Sequence, residues 1–82
     1  MIMDSRGYSS RITRANLKAS ARSPGVVLGR FCIEREIPVR EVAEYYGVSR
    51  MTIYKWFIGE WIPRRVHCAK IEEALAGTKV SA

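Results

Sequence analysis

The most regular pattern of apolar and polar positions lies in residues 39–61, VREVAEYYGVSRMTIYKWFIGEW. Val42 and Ala43 fall on one face of a short helix, and Ala43 is small enough for a second helix to cross closely there. Ile53 and Trp56 recur at the spacing of a buried stripe on that second helix. The pattern therefore predicts two short helices that pack against each other through these positions.

The junction between these two helices has the residues that a sharp turn requires. Gly47 stands where the first helix must end in the left-handed conformation, which glycine adopts without a steric clash. Val48 follows as an apolar plug, and the Ser49 hydroxyl can accept a free N–H group at the start of the next helix. We predict helices over about 38–46 and about 49–58.

One further helix is predicted before this unit and one after it. Ser23-Pro24, a capping hydroxyl followed by proline, is typical of a helix start, so the upstream helix should cover about 25–36. Within it, Gly29 permits a close approach of another helix. The downstream helix should cover about 64–76, with Gly77 as its stop. The side chains predicted to face the core are Val27, Leu28, Phe31 and Cys32 upstream, and Val66, Ala69, Leu75 and in part Ile71 downstream.

The N-terminal segment is basic and has no strong periodicity. The chain has 82 residues and a net charge of +6, and residues 1–22 supply four of those six charges. We expect a flexible arm that can include a short helix around residues 12–20, and residues 78–82 should be a frayed tail. The arm either contacts DNA or is a solvated tail. Its cations are Arg6, Arg11, Arg14, Lys18 and Arg22.

The run E-V-A-x-x-x-G-V-S-x-x-T-I-x-x-W, from Glu41 to Trp56, resembles the phage Cro and lambda-repressor-like helix-turn-helix family. Gly59 and Pro63 match the G-x-x-x-P loop that usually follows the recognition helix in that family. Leu28, Phe31 and Ile37 fall near its first-helix apolar positions, so the resemblance covers about residues 25–76. It implies an all-α bundle of four to five short helices, with the DNA-binding domain in residues 23–77.

The resemblance also implies which residues would read DNA. Positions matching Arg50, Met51 and Lys55 read bases in that family, and Thr52 also projects outward. An arginine can bond O6 and N7 of one guanine, and a methionine can pack on a thymine methyl group. The alternative is that Arg50 and Lys55 are ordinary solvated surface cations.

Other residues are candidates for contact with the DNA backbone, which sets register and affinity without reading sequence. Val39 and Glu60 depart from the family pattern, since a phosphate-binding glutamine and a basic or neutral residue are common at these positions. The candidates for backbone contact are Arg40, Ser49, Tyr54, Arg64 and Arg65.

The aromatic residues are too numerous for so small a core. Trp56 and Tyr46 are predicted to be buried, whereas Tyr45, Phe57 and Trp61 cannot all be buried. An exposed apolar surface often marks a protein interface. We therefore predict a homodimer that pairs through Phe57 and Trp61, around the end of the helix predicted over 49–58, the 59–63 loop and the helix predicted over 64–76. A second protein partner remains an alternative.

The same sequence argues against enzymatic and metal-binding functions. It has one histidine, no phosphate-binding glycine loop and no nucleophile with a base at useful spacing. Cys32, Cys68 and His67 are too few for a four-ligand zinc site, so the cysteines are read as free thiols and no cofactor is expected. No apolar run reaches transmembrane length and no signal-peptide core is evident, which predicts a cytoplasmic protein.

The predicted function is sequence-specific binding of double-stranded DNA, as a small bacterial or phage transcriptional regulator of the repressor type. One alternative is a phage-type protein that uses the same fold and its exposed aromatics to bind a host or virion protein. Another is an accessory protein of DNA packaging or replication that binds DNA with the same helix-turn-helix. The charge and the helix-turn-helix pattern favour the regulator.

Overall fold

A computed structural model describes residues 7–81 of the chain, with side chains described as far as residue 77. These residues form five α-helices and no strand, as the sequence predicted. The four helices predicted after residue 23 are all present, and their starts lie within one residue of the predicted ones. The helices are α1 (Ser10–Lys18), α2 (Pro24–Glu34), α3 (Val39–Tyr46), α4 (Arg50–Phe57) and α5 (Arg65–Ser81).

The core forms where α2 and α4 pack against each other. Helix α2 contacts α1, α4 and α5, and α4 also contacts α1 and α3. Val26 from α2, Ile53 and Phe57 from α4, and Ile71 from α5 are completely buried. Burial of a large apolar side chain contributes about 1.5–3 kcal/mol to the free energy of folding. The buried side chains of α4 are therefore the main contacts that hold this helix in the domain.

The start of α2 is only partly as predicted. Pro24 occupies the first turn, where its missing N–H group costs no hydrogen bond. The expectation that the Ser23 hydroxyl caps the helix is wrong, because its side chain makes no capping hydrogen bond and its Oγ is buried without a partner. Within α2, Val26 is completely buried whereas Val27 is only half-buried.

Helix α5 presents a different face to the core from the one predicted. Val66 and Ala69 are exposed, whereas Ile71 is completely buried and Leu75 packs against the core. The His67 ring lies 5.1 Å from the Trp56 ring, measured between centroids. A histidine ring thus takes the inward position that apolar periodicity had assigned to the neighbouring valine. The helix also continues past Gly77 to Ser81, so the tail expected over 78–82 is helical as far as the structure describes it.

The described part of the predicted flexible arm belongs to the folded domain. The short helix expected around residues 12–20 is present as α1, and Asn16 on it is buried. The Asn16 amide nitrogen donates to the carbonyl oxygens of Phe57 at 2.7 Å and Val26 at 3.1 Å. Tyr8 is also buried, and its hydroxyl donates to the Ile37 carbonyl at 2.6 Å. These bonds satisfy buried carbonyls, which explains why the segment packs although its apolar pattern is weak.

The end of α1 is held by an arginine from α2. One terminal nitrogen of Arg30 donates to the carbonyl oxygens of Asn16, Leu17 and Ala19, at 3.3, 3.2 and 3.0 Å. The last carbonyls of a helix lack partners within the helix, and a cation is favoured at that end. Arg30 on α2 bonds carbonyls of α1, and Asn16 on α1 bonds carbonyls of α2 and α4. Both residues therefore hold α1 against the domain.

Gly29 allows the close helix approach that the sequence predicted. A Cβ atom at this position would lie 2.7 Å from the Asn16 amide nitrogen and 2.8 Å from Cγ of Phe57. Both neighbours are themselves buried, so neither can move away freely.

We expect Gly29→Ala to lower the free energy of unfolding by about 1–3 kcal/mol, because the added methyl group overpacks a tight core. Gly77→Ala is the matched control, since a Cβ there meets nothing within 4 Å and α5 should gain up to about 1 kcal/mol of helix propensity. Urea unfolding of both variants checks the pair. Equal stability of the two variants would contradict the close packing at Gly29.

Candidate nucleic-acid interface

The turn between α3 and α4 is fixed by backbone and side-chain hydrogen bonds. Gly47 has φ 68° and ψ 35°, the left-handed conformation predicted for it. The Val48 N–H group donates to the Ala43 carbonyl at 3.0 Å, which closes the end of α3. The Ser49 hydroxyl accepts a 3.1 Å bond from the Thr52 N–H group, so Ser49 caps α4 as predicted. The two helices are therefore joined in one defined geometry.

The inner faces of α3 and α4 are buried as predicted. Val42 and Ala43 on α3, and Ile53 and Trp56 on α4, all belong to the core. Val48 is half-buried and packs against the same cluster. This packing sets the rotation of α4 about its axis, and thereby decides which of its side chains face solvent.

The first turn of α4 faces solvent. Ser49, Arg50 and Met51 are exposed, and 59% of the Met51 surface is accessible. Thr52 is half-buried, and its hydroxyl lies 3.0 Å from that of Ser49. Of the predicted base-reading residues, Arg50 and Met51 are thus the two that the structure leaves exposed.

Lys55, the fourth predicted base-reading residue, is held by an ion pair. Its ammonium nitrogen lies 2.7 Å from a carboxylate oxygen of Glu60 and 5.9 Å from the centre of the Trp61 ring. Glu60 stands where the resembled family commonly has a basic or neutral residue, and in the structure its charge is offset by this lysine. Both side chains are partly exposed, so the pair contributes no more than about 1 kcal/mol.

Tyr54 links α4 to the N-terminal segment. Its hydroxyl donates a 2.5 Å hydrogen bond to the Gly7 carbonyl, and a Cβ at Gly7 would collide with Val39. The described chain therefore starts beside α4 and the first residue of α3. This contact was not predicted, and the tyrosine expected to bind phosphate is half-buried.

The remaining predicted cations are exposed. Arg40 lies on the first turn of α3, Arg64 directly precedes α5, and Arg65 is the first residue of α5. Four arm cations are exposed on α1 and the turn after it, whereas Arg6 lies outside the described residues. The exposed arm cations are Arg11, Arg14, Lys18 and Arg22.

The predicted interface residues separate into one buried and one exposed side chain. Phe57 is completely buried and its ring stacks on that of Tyr8 at 5.8 Å, so its assignment to an interface is wrong. The N-terminal segment, read from sequence as an arm, supplies the tyrosine that covers it. Trp61 remains 49% exposed, and Tyr45 is exposed with the Lys70 ammonium 4.3 Å from its ring centre.

Two structurally important residues were missed by the sequence analysis, Asn16 and Arg30. Neither belongs to an apolar stripe, and both act by bonding backbone carbonyls of other elements. The only signal was indirect: Arg30 lies next to the small, core-facing Gly29 on a mostly apolar helix.

The cysteines lie apart from this surface. Burial raises the pKa of Cys32 to about 12, and the Cys68 thiol donates to the Pro63 carbonyl at 3.3 Å. Within the described residues no three His, Cys, Asp or Glu side chains are grouped to hold a metal ion. None of the helices in that part of the chain is long and apolar enough to cross a membrane.

Comparison of the chain with protein-family models, with curated proteins and with solved structures finds no match.

We expect Ser49→Ala to cost about 1 kcal/mol of stability, because the Thr52 N–H group loses its capping acceptor. Ser49→Asp is the matched variant, since a carboxylate caps a helix as well as a hydroxyl does and is favoured at a helix start. Thermal unfolding of both checks the cap. Equal destabilisation by alanine and aspartate would show that the hydroxyl does not act as the acceptor.

Proposed function

We propose that the protein binds double-stranded DNA and inserts α4 into the major groove. The observation that supports this best is the division of α4 into two faces. Ile53, Trp56 and Phe57 bury its inner face, while Arg50 and Met51 project from its capped first turn. A helix oriented in this way offers side chains to base edges while the helix before it lies across the backbone.

The exposed first turn has the chemistry that base reading needs. The Arg50 guanidinium can donate to O6 and N7 of one guanine, and Met51 can pack against a thymine methyl group. Met51 is a large apolar side chain that is 59% exposed, and packing against such a methyl group would bury part of that surface. Thr52 and Lys55 are within the same helix and are proposed to add contacts after Lys55 leaves Glu60.

Charge supports the proposal independently of the helix geometry. The chain carries a net charge of +6, and neutralising phosphates releases their counterions. Arg40 and Arg64 are exposed and are proposed to bind phosphates, as are the cations of α1 and the turn after it. Because α1 is packed, those cations would act from fixed positions instead of a flexible arm.

We further propose that the protein acts as a homodimer, as a small bacterial or phage regulator of transcription in the cytoplasm. One α4 offers only two exposed side chains for base reading, Arg50 and Met51, so a single domain would bind weakly. Two domains joined on one DNA multiply the contacts and can read a palindrome.

Selection of bound sequences from a random DNA pool tests the proposal most directly. Enrichment of a defined motif supports base reading, and a palindrome would also support a dimer. No enrichment, together with binding that ignores DNA, would reject the proposal and favour the alternative in which the fold binds another protein.

We expect Arg50→Ala to weaken binding to the selected site by about 1–3 kcal/mol and to weaken binding to random DNA much less. Arg40→Ala is the control, because loss of a phosphate contact should weaken both complexes alike. Titrations of both DNAs at one fixed salt concentration measure the difference. Equal losses on both DNAs for Arg50→Ala would show that Arg50 does not read bases. Ser49→Asp adds a negative charge at the start of α4, so DNA binding that is unchanged in this variant would show that DNA does not contact this turn.

We expect Glu60→Gln to strengthen DNA binding and to steepen its dependence on salt by about one unit of logarithmic slope. The substitution removes a negative charge and frees Lys55 from its ion pair. Glu34→Gln removes an equal charge from the exposed end of α2 and is the control. Identical effects of the two substitutions would show that only net charge matters and that Lys55 does not reach DNA.

A further inference from the structure

The outer face of α5 is a continuous surface without a partner in the described part of the chain. Side chains three, four and seven positions apart along the helix are exposed together, which places them on one side. Several of them, with Lys70, line one shallow depression. The exposed residues of this outer face are Arg65, Val66, Ala69, Glu72, Glu73 and Ala76.

The charges on this outer face have no partners within the described side chains. Arg65, Glu72 and Glu73 form no ion pair there, in contrast to Lys55 and Glu60. Val66 is a valine with 68% of its surface exposed, and Ile62, just before the helix, is 74% exposed. The face thus combines apolar side chains that would gain from burial with charges that would gain from a partner.

The order of these charges makes the face complementary to itself. The cation Arg65 lies four residues before Ala69, and the acids Glu72 and Glu73 lie three and four residues after it. If a second α5 runs antiparallel across Ala69, each Arg65 comes level with the two acids of the other copy. The small side chain at position 69 lets the two helices approach where they cross. A parallel arrangement would instead set cation beside cation and acid beside acid.

We propose that the outer face of α5 binds the same face of a second copy, antiparallel and with a two-fold axis at Ala69. This surface would be that of the homodimer proposed above. Only the role of the dimer in DNA binding rests on the proposed function. The surface includes none of the exposed residues at the start of α4, so α4 of both copies stays free to bind DNA. A symmetric pairing of this kind closes on itself and stops at two copies.

The size of the surface determines the strength that we expect. One helix pair buries less than the roughly 1,600 Å² of a standard interface, so the free dimer should be weak. Its charged pairs lie at the edge of the contact, and salt should therefore weaken the dimer further. Both properties are typical of a dimer that becomes tight when its two halves bind one DNA molecule.

Two complementary charge variants test the arrangement by sedimentation equilibrium without DNA. Arg65→Glu sets acid against acid in a homodimer, and the double variant Glu72→Arg/Glu73→Arg sets cation against cation. Each variant alone should be monomeric at concentrations where the unchanged protein dimerises. In an equal mixture, both contacts become attractive, and the dimer should return. Circular dichroism confirms that each variant is folded, which we expect because all three positions are exposed.

A cross-linking experiment tests the two-fold axis directly. In the Cys68→Ser background, Ala69→Cys brings two thiols together across the axis and should give a disulfide-linked dimer under mild oxidation. Glu34→Cys in the same background is the control, because this exposed position on α2 lies outside the surface. Cys32 is buried and stays unreactive.

The outcomes separate this proposal from the proposed function. Monomers in the mixture of charge variants, or cross-linking at position 34 as fast as at position 69, would overturn the antiparallel pairing. A strictly monomeric unchanged protein at high concentration would overturn it as well. None of these measurements contains DNA, so a failure to bind DNA leaves their result unaffected. Restored dimerisation with fast cross-linking at position 69 would support the pairing even if no DNA motif is found.

Discussion

The close approach of α2 and α4 is the constraint on which the rest of the structure depends. A Cβ atom at Gly25 would lie 2.9 Å from the backbone oxygen and Cβ of Trp56, and one at Gly29 would collide with the Phe57 ring. Because neither glycine has a side chain, the two large aromatic residues can lie directly on the α2 backbone. The Phe57 carbonyl at this contact is then removed from water and needs a donor, which Asn16 provides.

This constraint explains why the N-terminal segment is part of the domain. The Phe57 carbonyl belongs to the last turn of α4, where carbonyls have no partner within the helix. Asn16 can reach it only if α1 packs against both α2 and α4, and Arg30 holds α1 there through carbonyls at the end of that helix. Tyr8 then covers Phe57. Hydrogen bonds to backbone carbonyls, together with the apolar contacts of Tyr8 and Ile12, thus hold the N-terminal segment in the domain.

The same constraint prepares the surface that we propose to bind DNA. With Trp56 and Phe57 packed on α2, the rotation of α4 is set, and Arg50 and Met51 at its start have no part in the core. The Gly47 turn and the Ser49 cap fix the start of α4 without using the Arg50 and Met51 side chains. Arg50 and Met51 are therefore available for a ligand. The outer face of α5 is left free in a similar way, since Ile71 and Leu75 bind its opposite face to the core.

Local patterns in the sequence determined the helices α2 to α5, the Gly47 turn and the Ser49 cap, because these depend on propensity and spacing within a few residues. They also determined that Ile53 and Trp56 point inward. Tertiary structure alone decided the roles of Asn16, Arg30 and Phe57, since each depends on a partner distant in sequence. It also decided the face of α5 and the pairing of Lys55 with Glu60. Hydrogen bonds to backbone carbonyls leave no periodic trace in the sequence, so packing had to reveal them.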